Sequence, residues 1–341
     1  MKAFWDEVQL SHTPRFFLQR GQVRDNFETP GRALALLDGC RSLGLVTTPP
    51  PAIERLSLLA VHDAAYLDFL RDGPAAWAAQ GDAGPEMVAS SHPSPEMIAN
   101  GARRSDAVVA QLGWFTADAA CPIAASTWPA AQAAAACAIA AADEASAGRS
   151  AYALCRPPGH HAYAARAGGH CYLNNAALAA ERLRARGAAR VAILDIDAHH
   201  GNGTQGIFWR RDDVLVVSLH GDPAGYYPWF VGHADERGDG PGAGCNHNLP
   251  LPRGSTDAAW LAALAHGLET IHRSAADALV VSLGFDASVH EPLRFLSVSD
   301  DGFARAGEAI RALRLPTAYV QEGGYDIANL GRLLSLFFGG G

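Results

Sequence analysis

The chain has 341 residues, of which 49% are hydrophobic and 18% charged, and its net charge at pH 7 is −8. This composition is long and apolar enough for a sizeable core, and it excludes an extended disordered protein. The acidic balance, without any run of lysine or arginine, argues against nucleic-acid binding.

The six cysteines are scattered through apolar segments, and none forms a C-x-x-C pair. Reduced, buried thiols are therefore the expectation. The first ten residues lack a basic stretch followed by an apolar one, and no apolar run reaches transmembrane length. We predict a cytoplasmic protein without a membrane segment.

Turn-forming residues dominate three segments of the chain. Residues 11–30 are predicted to form a polar loop before a helix that starts near Gly31. Residues 81–95 and 232–244 are rich in glycine and proline and are predicted to be long surface loops. Long ordered loops in compact enzymes are often functional.

From about residue 130 onward, apolar strand candidates alternate with helical stretches. The strands are predicted at 152–155, 191–195, 214–220, 279–283 and 317–321. The helices are predicted at 130–147, 175–186, 256–273 and 301–313. This alternation predicts an α/β fold with a mostly parallel central sheet and helices on both faces. No linker or repeat divides the chain, so we expect a single domain over 1–341, with its active site at the carboxyl ends of the strands.

The stretch DIDAHHGNG, which begins at Asp195, carries the strongest chemical signal. Asp197 and His199 are two residues apart, so they point to the same side of an extended strand end. A carboxylate and an imidazole that converge there suit a catalytic divalent metal, and burying them without a cation would be costly. His200 points to the opposite side, and we interpret it as a residue that packs against the core or supports the metal ligands from behind. The stretch predicts a metal hydrolase.

Other motifs follow the remaining strands. The rigid turn in PPGHH directs His160 and His161 toward a cleft rather than the core. LGFDAS offers Asp286 as a third metal ligand. In EGGY, the glycines permit a close backbone approach that lets Tyr325 enter the site. GGHCYLNN precedes a helix and could line a channel.

In order and spacing, PPGHH, DIDAHHGNG, VSLHGDP, LGFDAS and EGGY resemble the zinc-dependent histone deacetylase superfamily, which has the arginase/deacetylase fold. The similarity spans nearly the whole chain. Within that superfamily the acetylpolyamine amidohydrolases are the most similar, because of the chain length, the long segment before Arg32, Asn202 and the stretch HGDP…NLPLPRG. The resemblance implies hydrolysis of the amide bond in acetylated polyamines or similar small N-acylamines.

The resemblance also implies the metal ligands. Zinc would be bound by Asp197, His199 and Asp286, a ligand set that iron(II) or cobalt(II) also tolerates. A structural potassium ion would be bound by Asp195, Asp197, the carbonyl oxygens of His199 and Leu219, and Ser218.

The same resemblance implies that His160 and His161 are the acid/base pair. Asp195 would orient His160, and Asn202 would orient His161. An aspartate occupies that second position in many deacetylases, so the neutral amide would leave His161 less basic. Tyr325 would donate its hydroxyl to the developing oxyanion.

The substrate channel departs from the family pattern. The residues predicted to contact substrate are Gly169, His170, Tyr227, Leu293 and Asp118. Tyr227 matches one of two channel aromatics, whereas the other position is His170, an imidazole expected to titrate near neutrality. Ala120 stands where polyamine-specific members carry glutamate, which leaves Asp118 as the nearest acid for a substrate ammonium.

Phe16, Phe17 and Leu18 are apolar residues inside the otherwise polar segment 11–30. Exposed, they would be unusual, whereas burial against a second subunit would explain them. In acetylpolyamine amidohydrolases the comparable segment helps to form a dimer and narrows the channel. We therefore predict a homodimer, with 11–30 and 81–95 near the active-site entrance or the dimer interface.

Two hypotheses about the substrate follow. Overall similarity and the N-terminal segment favour small acetylated amines. His170 and Ala120 favour a broader deacylase that acts on acyl-lysine in peptides or on xenobiotic amides. A non-catalytic binding protein would have a damaged site, and a manganese ureohydrolase would need additional aspartates, so both are lesser alternatives.

Overall fold

A computed structural model of the chain describes residues 1–19 and 21–339. Arg20, inside the predicted loop 11–30, and the last two residues of the predicted domain lie outside the described residues. Within the described part, no helix is both long and apolar enough to cross a membrane. All six cysteines there are free.

The described strands are β1 (Lys2–Phe4), β2 (Phe16–Gln19), β3 (Gln22–Asp25), β4 (Thr47–Thr48), β5 (Ala151–Ala153), β6 (Val191–Asp195), β7 (Val214–Gly221), β8 (Asn246–Leu251), β9 (Ala278–Leu283) and β10 (Thr317–Gln321). Among these residues, eight strands form one sheet in the order β4-β1-β5-β10-β9-β6-β7-β8. Every neighbouring pair in that sheet is parallel.

The described helices are α1 (Pro30–Ser42), α2 (Arg55–Leu59), α3 (Ala64–Ala78), α4 (Pro95–Ala99), α5 (Val108–Phe115), α6 (Thr127–Ser146), α7 (Asn175–Ala185), α8 (Asn202–Phe208), α9 (Asp257–Arg273), α10 (Asp300–Ala312) and α11 (Ile327–Gly339). The cores lie between the sheet and these helices.

Successive residues of β6 enter two different cores, because side chains alternate across a strand. Val191 and Ile193 pack in a core with α6 and α7. Ala192 and Leu194 pack in the other core, with α1, α9, α10 and α11. Helices therefore cover both faces, which confirms the predicted α/β architecture and explains why the central strands are continuous apolar runs.

The predicted bounds agree with the structure for 191–195 and 317–321 and differ elsewhere by a few residues. No local pattern predicted β1, β4 or β8. β1 and β4 are only three and two residues long. β8 has the sequence NHNLPL, which lacks an apolar run. These three segments are strands because they pair with neighbouring strands of the sheet, and not because of a local hydrophobic pattern.

The segment 11–30 is not a simple loop, since β2 and β3 form an antiparallel hairpin within it. Phe17 is only 3% exposed. Its ring lies 5.6 Å from Phe27 and 5.2 Å from His170. The apolar character of Phe17 is thus explained by burial within its own chain, which corrects the expectation that a second subunit covers it. Leu18 remains 40% exposed, and the homodimer stays a prediction.

Glu86, inside the predicted loop 81–95, supports this hairpin. Its carboxylate accepts a hydrogen bond of 2.7 Å from Arg15 N and one of 3.4 Å from Phe16 N. Glu86 is buried. The two loop segments therefore contact each other beside the cavity that Phe17 and Leu18 help to line.

Candidate active site

The predicted motifs follow β5, β10, β9 and β6, which are consecutive strands of the parallel sheet. Their carboxyl ends therefore meet along one edge, where open α/β sheets place ligands. A cavity of about 950 Å³ opens there, and His161, His199 and Tyr325 are among the residues that line it.

The predicted metal ligands converge at the floor of this cavity. One ligand atom from each of Asp197, His199 and Asp286 lies within 4.8 Å of the other two, and all three residues are buried. His199 Nδ1 is 2.8 Å from Asp286 Oδ2 and 3.2 Å from Asp197 Oδ1. Ligand atoms around a tetrahedral metal with bonds of roughly 2.0–2.2 Å are separated by roughly 3.3 Å. A single ring proton could satisfy only one carboxylate, so this donor set fits a divalent cation.

Main-chain groups hold the two carboxylates in place. Asp286 Oδ1 accepts a hydrogen bond of 2.7 Å from Ala198 N, and Asp197 Oδ2 accepts one of 2.8 Å from Gly323 N. A Cβ atom at Gly284 or Gly323 would collide with the Asp197 carboxylate. Glycine at these positions permits the close approach that fixes the ligands before any metal binds.

His160 and His161 lie side by side, with ring centroids 4.0 Å apart. His160 Nδ1 is 2.9 Å from Asp195 Oδ2, and His161 Nδ1 is 2.6 Å from Asn202 Oδ1. The structure thus brings together both predicted pairs. Asn202 Nδ2 in turn donates to the hydroxyl of Tyr163 at 2.9 Å.

The two imidazoles have opposite pKa shifts. Burial opposes the charged form of His160, but Asp195 and Asp197 outweigh it and raise the pKa of His160 well above its ordinary value. Burial, together with the charges of His160 and His199, lowers the pKa of His161 well below its ordinary value. Two neighbouring groups whose environments push their pKa values apart suit an acid and a base.

Glu322, the first residue of EGGY, has a position that the sequence reasoning missed. Its Oε2 accepts hydrogen bonds from Gly159 N at 2.6 Å and from His160 N at 3.1 Å. Burial raises the pKa of Glu322 to about 7. The only signal in the sequence was an acidic residue between an apolar strand and two glycines.

Glu322 also lies near His160 and Cys171, close enough for the three side chains to form a second potential metal-binding group. Their polar atoms already have protein partners, however. Glu322 Oε2 accepts two main-chain hydrogen bonds, and His160 Nδ1 contacts Asp195. The thiol of Cys171 donates to Gly169 O at 3.4 Å. We therefore assign Glu322 to the positioning of His160 rather than to a metal.

Tyr325 lines the cavity beside the predicted metal ligands. Its backbone N donates to Glu291 Oε2 at 2.9 Å, and the guanidinium carbon of Arg32 lies 4.8 Å from its ring centroid. Burial raises the pKa of Tyr325 well above its ordinary value, so the hydroxyl keeps its proton. Arg32 also donates to Gly324 O at 2.6 Å and pairs with Glu28. Sequence reasoning assigned no role to Arg32 or Glu291.

All five residues predicted to contact substrate line the cavity, namely Asp118, Gly169, His170, Tyr227 and Leu293. The Tyr227 hydroxyl donates to Asp118 Oδ2 at 2.6 Å. Asp118 also accepts from Gly169 N at 3.2 Å and from Ala120 N at 2.7 Å. Asp118 therefore faces the cavity from a position held by three donors.

His170 does not titrate near neutrality, contrary to the sequence-based expectation. Burial, followed by the charges of Arg32 and His199, lowers the pKa of His170 to about 3. Its backbone has a φ of 65°, a left-handed conformation that is uncommon outside glycine. The imidazole is a neutral part of the cavity wall, next to Phe17.

Of the residues predicted for potassium, Asp195, Ser218 and Leu219 lie on the adjacent strands β6 and β7, and Asp197 and His199 follow the end of β6. Asp195 in β6 is directly paired in register with Ser218 in β7, and Leu219 follows. Ser218 Oγ is 2.8 Å from His220 Nδ1. His200 turns away from the cavity, with Nε2 3.1 Å from a side-chain oxygen of α8, which agrees with its interpretation as a packing residue.

Residues 26–340 match the family model described as the histone deacetylase domain. The chain belongs to the histone deacetylase family. This finding confirms the resemblance that the five motifs indicated, and the match covers nearly all of the chain.

Named relatives are similar to this chain over nearly their full lengths. Acetylpolyamine amidohydrolase 1 of Pseudomonas aeruginosa is 46% identical over 334 residues, which cover 97% of this chain and 95% of that protein. Acetylpolyamine amidohydrolase of Mycoplana ramosa is 40% identical over 337 residues, covering 97% and 96%. A crystal structure of acetylpolyamine aminohydrolase from Burkholderia pseudomallei has a TM-score of 0.95 at 45% identity, covering 100% of this chain and 98% of the other.

Proposed function

We propose that this chain hydrolyses the amide bond of acetylated polyamines and similar small N-acylamines. The observation that carries the proposal is the convergence of a buried carboxylate–imidazole–carboxylate set with the adjacent pair His160 and His161, of which His161 lines the cavity. The full-length relatives named acetylpolyamine amidohydrolases support it, and they do not favour the broader deacylase.

A divalent metal held by Asp197, His199 and Asp286 would supply Lewis-acid chemistry, which polarises an amide carbonyl and acidifies water. His161, neutral and with Nδ1 directed at Asn202, keeps the lone pair of Nε2 free to accept a proton from the attacking water. His160, kept protonated by Asp195, can supply a proton to the leaving amine. The Tyr325 hydroxyl can donate to the oxygen on which charge develops.

Asp118 accounts for selectivity toward amines. Apart from the metal ligands at the floor, it is the only carboxylate among the described residues that line the cavity. A substrate with a free ammonium at its distal end would gain an ion pair there, because a cation entering a partly desolvated channel needs a counter-charge. Three donors already orient this carboxylate, so little side-chain freedom is lost on binding.

We further propose zinc as the metal, with iron(II) or cobalt(II) as chemically compatible substitutes. Structural potassium near Asp195, Ser218 and Leu219 is supported by the adjacent strands that carry these residues. We also propose a homodimer, which exposed Leu18 on the hairpin supports, and a cytoplasmic location, which the free cysteines support.

The test compares kcat/KM of the zinc-loaded protein for N-acetylputrescine, N-acetylcadaverine, N8-acetylspermidine and an acetyl-lysine peptide. We expect the acetylated amines to exceed the peptide by at least about tenfold, a difference of about 1.4 kcal/mol. Tyr325→Phe is the catalytic control and should lose on the order of 10²–10³-fold in kcat. A clear preference for the peptide would overturn the assignment of small acylamines.

A further inference from the structure

Tyr226 lies flat between the imidazole of His199 and the ring of Phe295. The His199 and Tyr226 ring centroids are 4.4 Å apart with an interplanar angle of 17°. The Tyr226 and Phe295 centroids are 4.2 Å apart with an angle of 25°. We refer to these three residues as the ring stack. It connects a predicted metal ligand to the aromatic core behind it.

The guanidinium of Arg253 completes this arrangement. Its carbon lies 4.5 Å from the centroid of Phe295. Because Tyr226 already covers one face of Phe295, the guanidinium must occupy the other face. Arg253 is exposed and also lines the cavity. The ring stack therefore has a cavity-lining residue at each end, His199 at the floor and the guanidinium of Arg253 beyond Phe295.

The backbone at the end of β7 packs closely against the ring stack. A Cβ atom at Gly221, the last residue of β7, would collide with the Phe295 ring and would come within 3.0 Å of Tyr226 Cδ1. Phe295 is 2% exposed and Tyr226 is 8% exposed. Close packing on both sides leaves the Tyr226 ring little room to tilt.

The hydroxyl of Tyr226 does not explain its position. That oxygen is buried and has no hydrogen-bond partner among the described residues. Leaving a buried hydroxyl unpaired is unfavourable, so the contact that holds this side chain is made by its ring. The burial of Tyr226 is therefore an aromatic packing feature.

The orientation of the His199 ring requires a restraint such as this aromatic contact. A metal-binding histidine usually donates its second ring N–H to a carboxylate or carbonyl, which fixes the orientation of the ring. Here Nδ1 faces Asp286 and Asp197, whereas Nε2 has no hydrogen bond to any part of the chain that the structure describes. Rotation of an imidazole about its Cβ–Cγ bond is soft unless neighbours restrict it.

We propose that Tyr226 is a positioning residue that holds His199 in its metal-binding orientation through ring stacking, in place of a hydrogen bond donated by the Nε2–H group. The proposal rests on the proposed function only in requiring a metal at the Asp197–His199–Asp286 site. It assigns the effect to the Tyr226 ring and not to the hydroxyl. Phe295 supports the same orientation from behind.

The test compares Tyr226→Leu with Tyr226→Phe. The readouts are the rate at which the zinc-loaded protein releases metal to an excess of chelator and the visible absorption spectrum of the cobalt(II)-substituted protein. We expect Tyr226→Leu to release metal at least tenfold faster and to alter the cobalt spectrum. Tyr226→Phe should stay within twofold of the parent, because it keeps the ring.

Two further variants separate stacking from general packing. Tyr227 meets the same imidazole edge-on, with centroids 6.1 Å apart, so Tyr227→Leu should leave metal release unchanged. Phe295→Leu weakens the ring stack from the far side and should accelerate release by less than Tyr226→Leu. This variant also tests the proposal if Tyr226→Leu does not fold.

Parent-like metal release from both Tyr226→Leu and Phe295→Leu would overturn the proposal. Equal acceleration in Tyr226→Phe and Tyr226→Leu would overturn it too, by assigning the effect to the hydroxyl. Because release to a chelator involves no substrate, failure to hydrolyse acetylated amines with normal metal retention would count against the proposed function alone. A parent protein that retains no metal would overturn both.

Discussion

At the floor of the cavity the carboxylates of Asp197, Asp286 and Glu322 are held by main-chain N–H groups of neighbouring strand ends. At the mouth, large side chains project from loops, and Phe230 is 86% exposed. Trp229, also at the mouth, is 44% exposed. The floor thus has one arrangement set by the sheet, whereas the mouth is formed by loop side chains, of which Trp229 and Phe230 are exposed and Asp118 is held by hydrogen bonds.

This difference separates chemistry from selectivity. Changes at the floor should reduce turnover of every substrate by a similar factor, because they alter groups that act on the amide itself. Changes at the mouth should alter the ratio between substrates, because they alter groups that meet only the distal part of a substrate. Four substitutions test this difference between the floor and the mouth.

The largest effect is expected for Asp286→Ala at the floor. Loss of one of the three ligands should reduce bound metal well below one equivalent and lower kcat/KM on the order of 10³-fold or more for all substrates. Metal content after dialysis and kcat/KM with two acetylated amines would measure this. Asp301→Ala on the exposed side of α10 is the control, and full metal retention in Asp286→Ala would contradict the assigned site.

Glu322→Leu should have the next largest effect. It leaves the N–H groups of Gly159 and His160 unpaired, at a cost of about 1–3 kcal/mol each in unfolding free energy. We expect kcat to fall roughly 10–100-fold for every substrate, with KM little changed. Glu322→Gln keeps an acceptor oxygen and should recover most of both losses. If Glu322→Gln is as impaired as Glu322→Leu, the charge of Glu322 matters and not its hydrogen bonds.

Asp118→Asn tests the mouth. The variant keeps one acceptor oxygen, equivalent to the Oδ1 that Ala120 N and Gly169 N reach at 2.7 and 3.4 Å, but loses the charge. We expect kcat/KM to fall about tenfold for N-acetylputrescine, or about 1.4 kcal/mol, and to stay unchanged for the neutral N-butylacetamide. Tyr227→Phe, which removes only the hydroxyl partner of Asp118, is the matched control. An equal loss for both substrates would mean that Asp118 affects the reaction at the amide, as the floor residues do, and does not recognise the distal ammonium.

The smallest effect is expected for His170→Asn, since asparagine tolerates the left-handed backbone at this position. The pKa of His170 is about 3 in the folded protein, below its unfolded value, so the unfolded chain binds the proton first as the pH falls. The contribution of neutral His170 to the free energy of unfolding is therefore fully present above about pH 6.5 and is lost as the pH falls toward 3.

His170→Asn should therefore gain thermal stability relative to the parent between about pH 6.5 and 4. The shape of its kcat/KM profile above pH 6 should match that of the parent, because His170 does not change charge there. Tm measured across this pH range and pH–rate profiles for N-acetylputrescine would check both statements. A shifted profile near neutrality would mean that His170 titrates in the working enzyme.

Local patterns in the sequence predicted much of this protein. The apolar run 191–195 and the alternating helices predicted the sheet, because strand and helix periodicities are local. The spacing of Asp197 and His199 predicted a shared side, and the motifs that follow two other strands added Asp286 and Tyr325 to the same site. These residues occupy strand ends, whose place in a parallel sheet follows from the order of elements.

Only the tertiary structure decided which distant groups meet. Glu322 bonds to a main-chain group 162 positions away, and Glu291 bonds to Tyr325 N, 34 positions away. Burial of Phe17 against Phe27 and the low pKa of His170 likewise depend on neighbours brought close by folding. Hydrogen bonds and desolvation act over a few ångströms in space, so sequence periodicity carries no record of them.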